Sequence, residues 1–231
     1  IRGKLVTGVQ TCALPICNVK KVTELSLLEQ NPLKKGSYGS LKVIADLVLK
    51  KNRTKGLKIT YVRPGFILGS GVVSPIIGMG FRCGKNILLQ VGSSRNVLPI
   101  TTRVIVNEAI RKLCSINQLE DERVVLIADE NSPTRYAWLT ECCRCVGTGT
   151  KVVAIPVVFW KLAGLGGEVV AKLLRLKISP WTIVQNACRK MSFSPQDSGC
   201  YLNMSFACDW KRELVNSFEN QNSPNHFLTY S

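Results

Sequence analysis

Tyr38 and Lys42 are the two residues whose types and spacing point most directly to chemistry. They lie four residues apart in a stretch, 36–50, whose apolar spacing predicts a helix, so both side chains belong to one helix face. A tyrosine has a pKa of about 10, and a neighbouring ammonium lowers that pKa because it stabilises the phenolate. The partial positive charge at the start of the helix acts in the same direction. The pair therefore predicts proton transfer to or from a hydroxyl or carbonyl oxygen.

The helix that carries this pair must also pack against the rest of the protein. Four apolar residues at helical spacing predict the stripe that faces the core, namely Leu41, Ile44, Leu47 and Val48. Tyr38 and Lys42 lie on a neighbouring stripe together with Ala45 and Leu49. Tyrosine and lysine also occur at this spacing by chance on solvated helices. The pair alone therefore leaves an ordinary exposed helix face open as an alternative.

A second segment of interest follows the helix. An alternating run, 57–62, predicts a strand, and Arg63-Pro64-Gly65 comes directly after it. Proline restricts Arg63 to an extended backbone, and Gly65 allows the chain to turn at the carboxyl end of the strand. Ligands of open α/β sheets bind at that end. The segment is therefore a candidate ligand contact, although an ordinary turn that ends a strand would show the same pattern.

The order of these motifs resembles that of a known family. Tyr-x-x-x-Lys, a helix, a strand and then Arg-Pro-Gly-x-x-x-Gly are similar to the extended short-chain dehydrogenase/reductase family, the NAD-dependent epimerases and dehydratases. The resemblance covers residues from about 20 to 218. It implies an α/β fold: the later part of a Rossmann-like, doubly wound parallel sheet with a small α/β substrate domain, the N-terminal Rossmann half being missing.

The same resemblance implies an oxidoreductase, epimerase or dehydratase that uses NAD or NADP. Tyr38 would move a proton at the reacting oxygen while hydride passes to or from nicotinamide, and Lys42 would lower the Tyr38 pKa and bind the nicotinamide ribose. Arg95 and Asn96 fall in a segment similar to the family's substrate-side loop and are candidate contacts to a small-molecule substrate. Four residues after the strand would line the cofactor, namely Pro64, Gly65, Phe66 and Ile67.

Two features of the sequence depart from that family. No G-x-x-G-x-x-G or G-x-G-x-x-G follows a predicted strand, although such a turn normally receives the cofactor pyrophosphate at a helix N-terminus. We therefore expect the pyrophosphate-binding part to be absent and this chain by itself to be inactive, while the intact protein would be a candidate homodimer. Leu98 and Ile105 also differ from the family pattern, which leaves the substrate open.

The chain is expected to divide into four segments. Residues 6–16 are similar to the translation of a common sequencing-library adapter, so we expect 1–16 to lie outside the fold. The segment 17–71 would be a partial Rossmann segment, 72–218 a substrate domain interleaved with the remaining Rossmann elements, and 219–231 a flexible tail. Within the larger segment, apolar patterns predict strands at 85–91 and 124–128 and helices at 104–113, 135–146, after 155–156 and at 206–218.

Composition and charge limit the classes of partner. An apolar fraction of 45% with 20% charged residues indicates a globular protein. The formal charge of +16, from 31 Lys and Arg against 15 Asp and Glu, favours anionic partners such as a nucleotide, a nucleic acid or an acidic surface. The cations are dispersed, which indicates a solvated surface rather than a dedicated nucleic-acid stripe. No specific nucleic-acid partner is predicted, but a basic nucleic-acid-binding protein and a non-catalytic binding module remain alternatives.

The cysteines do not predict a metal site. The sequence has ten cysteines and one histidine, His226, and Cys142, Cys143 and Cys145 include only one C-x-x-C without a second pair at a suitable distance. These residues are better interpreted as small apolar side chains on a helix. Because no secretory signal is evident, a reducing cytoplasm is the expected compartment.

The segment 152–174 is the most apolar part of the chain. Pro156, Lys161 and Glu168 interrupt it, whereas a membrane-spanning helix needs about 20 apolar residues in succession. We expect a short strand and then an amphipathic helix of the substrate-domain cap. Contact with a membrane surface remains a less favoured alternative, supported by the positive charge.

Overall fold

A computed structural model of the chain describes residues 5–8, 21–26, 36–51, 58–69, 79–84, 86–117, 120–147, 149–176, 179–188 and 190–219; at 5–8, 36–39 and 186 it describes the backbone alone. The chain forms two compact units, each assembled from separate segments. The first contains 1–68, 99–132 and 192–210, and the second contains 69–98, 133–191 and 211–231.

Strands and helices alternate along the described chain. The strands are β1 (Leu5–Gly8), β2 (Lys21–Val22), β3 (Ile59–Pro64), β4 (Phe66–Leu68), β5 (Gly80–Arg82), β6 (Ile87–Gln90), β7 (Ile100–Thr102), β8 (Arg123–Ile127), β9 (Lys151–Ala154) and β10 (Ser192–Phe193). The helices are α1 (Gly36–Lys51), α2 (Arg103–Ser115), α3 (Arg135–Val146), α4 (Val157–Leu173), α5 (Pro180–Cys188), α6 (Gln196–Leu202) and α7 (Trp210–Glu219).

A parallel sheet in the order β1-β3-β8 organises the first unit. The predicted strand after the first helix is confirmed as β3, but all six of its residues are buried, including the polar Thr60 and Arg63. Its alternating pattern therefore does not correspond to one exposed face, because β3 is a central strand with neighbours on both edges and α1 packed beside it.

The helix α1 is confirmed, but the predicted core-facing stripe is wrong. Val43 and Asp46 are almost fully buried, at 0% and 2% exposure. The four residues predicted to face the core are 45–65% exposed, namely Leu41, Ile44, Leu47 and Val48. The rotation of α1 is set by an ion pair as well as by apolar packing. Because Asp46 bonds to Arg63 of β3, the face of α1 that carries Asp46 lies against the sheet.

Strand β1 lies within the segment that was expected to be outside the fold. Leu5 to Gly8 pair in parallel with Ile59 to Val62, and this pairing makes these four residues the first strand of the sheet. Strand pairing is a contact between main chains, and it does not test whether 6–16 derive from an adapter. Residues 9–20 lie outside the described part of the chain.

The core of the first unit lies between the sheet and the helices that follow β7. Strands β4 and β7 form a short parallel pair, and α2 begins directly after β7 with Thr102 as its cap: the Thr102 hydroxyl accepts the Ile105 N–H at 3.2 Å. Eight buried side chains form the main cluster, namely Val62, Val106, Ala109, Leu113, Val125, Ile127, Leu202 and Phe206.

The second unit has a sheet of its own, in the order β5-β6-β9. Strand β6 is antiparallel to β5 and parallel to β9. Helix α3 has the predicted bounds: Thr134 caps its start, and Gly147 ends it at φ 68°. Helices α4 and α5 pack together at Gly164, where an added Cβ would lie 3.1 Å from Val184. The expected tail lies outside the described residues, apart from Glu219 at the end of α7.

Candidate functional site

Two ion pairs fix the direction in which α1 runs against the sheet. In the middle of the helix, Asp46 Oδ2 lies 3.1 Å from Arg63 Nη2, near the carboxyl end of β3. Near the end of the helix, Lys50 Nζ lies 3.2 Å from the carboxylate of Glu122, directly before β8 begins. Because β3 and β8 are parallel, α1 runs antiparallel to both. The first turn of α1 therefore lies towards the carboxyl ends of the strands.

Tyr38 and Lys42 belong to that first part of α1. A helix rises about 1.5 Å per residue, so Tyr38 lies roughly 12 Å along the axis from Asp46, in the direction of the carboxyl edge. Lys42 is half-buried, one turn before Asp46. Burial raises the pKa of that carboxyl, and the positive charge of Lys42 is the weakest of the interactions that oppose this rise. The side chain of Tyr38 lies outside the described residues, so the contact between the phenol and the ammonium stays a prediction.

Asp46 and Arg63 form the buried charged pair beneath this turn. Their side chains are 3% and 5% exposed. Burial raises the pKa of Asp46 against the opposing attraction of Arg63, and burial likewise lowers the pKa of Arg63. The pair fixes the rotation of α1, and with it the face on which Lys42 lies. Sequence reasoning missed this role, although an aspartate inside an otherwise apolar helix was the available signal.

The segment predicted to line a cofactor is more regular than a turn. The Gly65 N–H donates to the Ile127 carbonyl at 2.8 Å, and the Phe66 N–H donates to the Pro99 carbonyl at 2.6 Å. A Cβ on Gly65 would lie 2.5 Å from the Pro99 oxygen, so this close approach of two backbones requires glycine. These two N–H groups are therefore already bonded within the protein, and β4 starts at Phe66.

The remaining groups of this segment differ in their access. Pro64 and Gly65 are buried, whereas Phe66 and Ile67 are half-buried. Ile67 also packs against the core cluster of the first unit. Phe66 and Ile67 thus keep partly exposed apolar side chains, whereas the N–H groups of Gly65 and Phe66 are already bonded within the protein.

Asp129, at the carboxyl end of β8, was not predicted as a site residue. Its carboxylate accepts the N–H of Asn131 at 2.8 Å and the N–H and thiol of Cys208 at 3.1 and 3.2 Å. Asp129 is 2% exposed, and its own N–H donates to the Ile100 carbonyl at 2.7 Å. These bonds hold the turn after β8 together, so Asp129 has a structural role.

A cleft of about 460 Å³ lies next to this turn, lined by Glu130 and residues of 195–207.

The two predicted substrate contacts belong to the second unit, whereas Lys42 and Pro64 to Ile67 belong to the first. Arg95 is exposed. Asn96 is 3% exposed; its side-chain amide donates to the Ala187 carbonyl at 2.9 Å, and its own carbonyl accepts the N–H of Arg135 at 2.7 Å. Asn96 therefore links α5 to the start of α3, and a substrate contact by either residue stays a prediction.

The cysteines of α3 and the apolar helix α4 were considered as a metal site and as a membrane contact. Cys142 and Cys143 are buried in α3, and burial raises the pKa of both thiols. Among the described residues, no group of three possible ligands is arranged to hold a metal ion. In the part of the chain that the structure describes, no helix is both long enough and apolar enough to cross a bilayer.

Comparisons with known proteins identify the fold. No protein-family model matches the chain, and no curated protein matches its sequence. Among solved structures it is similar to MoeE5 in complex with UDP-glucuronic acid and NAD, with TM-score 0.59, 12% identity, and coverage of 94% of this chain and 64% of that one.

Two further solved structures give the same result. For gox2253 the TM-score is 0.67 at 13% identity, with 94% and 65% of the two chains covered. For the human epimerase family protein SDR39U1 with NADPH it is 0.54 at 13% identity, with 94% and 65% covered. The chain thus spans less than two thirds of each. At this identity the likeness concerns the fold alone: the predicted α/β class, with parallel strands and a Rossmann-like arrangement, is confirmed.

Proposed function

We propose that the chain is part of an NAD- or NADP-dependent oxidoreductase, epimerase or dehydratase acting on a small molecule with a hydroxyl or carbonyl group. The observation that carries the proposal is the direction of α1, which brings the turn with Tyr38 and Lys42 to the carboxyl edge of the parallel sheet. Ligands of open α/β sheets bind at that edge. Solved structures with a similar fold hold NAD or NADPH, which supports a nicotinamide cofactor here.

In this proposal each residue has one role. Tyr38 gives or takes the proton at the reacting oxygen, and Lys42 lowers the Tyr38 pKa and donates to ribose hydroxyls. Phe66 and Ile67 present apolar surface to the nicotinamide ring, which fits their half-buried side chains. The bound nicotinamide supplies the acceptor or donor of hydride. Asp46 is a positioning residue that acts on Lys42 through the rotation of α1.

Cofactor binding tests the role of Lys42 directly. Fluorescence titration with NADH and NADPH, carried out on the intact protein that includes the pyrophosphate-binding part, is expected to show binding that Lys42→Ala weakens by about ten- to a hundredfold, because a hydrogen bond from a charged donor contributes roughly 1.5–3 kcal/mol. Lys51→Ala, at the other end of the same helix and exposed, is the matched control and should leave binding unchanged. Absence of binding to either nucleotide, or equal binding by Lys42→Ala, would contradict the proposal.

Turnover tests the role of Tyr38. In the intact enzyme Tyr38→Phe removes only the phenolic oxygen, so we expect turnover to be lost while cofactor affinity is kept. A Tyr38→Phe enzyme that retains turnover would exclude Tyr38 as the acid/base.

A further inference from the structure

Helix α4 presents a large apolar surface to solvent. We use the name apolar face of α4 for seven residues that are each 50–76% exposed, namely Val158, Phe159, Leu162, Leu165, Val169, Val170 and Leu173. With about 100° between successive residues of a helix, these seven side chains occupy an arc of roughly 140°. Ile183 of α5 is also 60% exposed. The surface is therefore a continuous strip along one helix rather than a set of scattered apolar residues.

The opposite side of α4 is already packed. Gly164 and Ala171 are buried, and Gly164 lies against Val184 and Trp181 of α5. Small residues at this contact let the two helices approach closely. The apolar face is thus an additional surface, because the contact between the two helices uses the other side of α4.

The basic side chains of α4 lie along one border of its apolar face. Lys161 and Lys172 are exposed and lie on one border of the strip, beside Leu165, while Arg175 follows the end of the helix. The acidic residue of α4, Glu168, is turned towards α5: its carboxylate accepts the Ser179 hydroxyl at 2.8 Å. Lysine side chains therefore border the apolar face of α4, whereas the carboxylate of Glu168 is hydrogen-bonded to α5 and does not lie on that face.

From this arrangement we propose that α4 docks on an anionic lipid surface, lying in the plane of the headgroups with its apolar face towards the acyl chains. An amphipathic helix with basic residues beside a wide apolar face is the form that binds such a surface without crossing it. Charge complementarity favours lipid over a second copy of the chain. Two copies joined through this strip would bring Lys161 and Lys172 of one chain near the same cations of the other, in a protein of formal charge +16.

Flotation of the full chain with lipid vesicles tests this proposal, because self-aggregated protein does not float. We expect binding to vesicles of equal parts phosphatidylcholine and phosphatidylserine, weaker binding to phosphatidylcholine alone, and a decrease with salt. Leu162→Gln with Leu173→Gln should reduce binding at least about tenfold, given the apolar area that two leucines bury. Val104→Gln is the matched control, since Val104 is 75% exposed on α2.

The charged border gives an independent readout. Lys161→Gln and Lys172→Gln should each lower affinity for the phosphatidylserine vesicles by about fivefold, which corresponds to about 1 kcal/mol per cation, and should leave binding to phosphatidylcholine unchanged. Circular dichroism checks that the variants keep their fold. Equal binding by the leucine variant and the unchanged chain would overturn the proposal. So would light scattering that shows an oligomer which the same leucine variant converts to monomers, because the strip would then join copies of the chain.

Discussion

Replacing Asp46 by alanine is expected to lower the free energy of unfolding by about 3–5 kcal/mol. The change removes the carboxylate that lies 3.1 Å from the Arg63 guanidinium, in a place where both side chains are at most 5% exposed. The remaining guanidinium would be buried without its carboxylate, and the loss of one partner of a buried pair costs about that amount. In addition, Arg63 Nε is buried without a hydrogen-bond partner among the described residues, so the arginine has little other compensation there.

The double variant separates the loss of the pair from the loss of packing. Asp46→Leu with Arg63→Met replaces both charges by apolar side chains, and such replacements are often neutral or stabilising by about 1–4 kcal/mol. Urea unfolding followed by circular dichroism measures both variants, with the midpoint compared at an unchanged slope. Glu108→Ala is the control, because it breaks the exposed Glu108–Arg111 pair of α2 and should have little measurable effect.

Two outcomes of the unfolding measurements would refute the role of the buried Asp46–Arg63 pair. A loss below about 1 kcal/mol in Asp46→Ala would mean that water reaches Arg63 and that the pair is not a buried one. A double variant as unstable as Asp46→Ala would mean that packing, rather than an uncompensated charge, explains the loss.

Two further predictions concern backbone and thiol environments. Gly65→Ala places a Cβ 2.5 Å from the Pro99 carbonyl oxygen and should destabilise by about 1–3 kcal/mol in urea unfolding, whereas Gly166→Ala in α4, with nothing within 4 Å, should stabilise by up to about 1 kcal/mol; equal effects would contradict the steric argument. Burial raises the pKa of Cys142, so iodoacetamide at neutral pH should label the exposed Cys83 and not Cys142 in the folded chain, as measured by mass spectrometry; similar labelling of both would disprove that burial.

Elements whose ends depend on neighbouring residues in the sequence were predicted correctly. The bounds of α3 follow from a polar start that Thr134 caps and from Gly147, which adopts the left-handed conformation that ends a helix. Strand β8 was predicted within one residue at each end, because a continuous apolar run between polar residues needs no distant partner to be recognised.

The sequence predictions were wrong where a contact with a residue distant in sequence determines which face is buried or whether a strand forms. The apolar spacing of α1 indicated the wrong face, because Asp46 is buried through a bond to Arg63, which lies in a different element. The segment after Pro64 was expected to be a turn, but Phe66 to Leu68 form a strand since Ile100 to Thr102 supply the pairing edge. Tyr38 and Lys42 were predicted as a pair from residue type and spacing, whereas the direction of their helix depends on contacts that spacing does not encode.

The bond between Asp46 and Arg63 also has a consequence for the order of folding. It closes a loop of 17 residues, whereas β8 joins β3 through the much more distant pairing of Thr60 with Arg123. Closing a short loop costs less entropy, so α1 and β3 are expected to associate before β8 adds to the sheet. Stopped-flow measurements should then find that Asp46→Ala mainly slows folding, and that Val125→Ala in β8 mainly speeds unfolding. The pair would thus act as an early nucleus around which the later strand assembles.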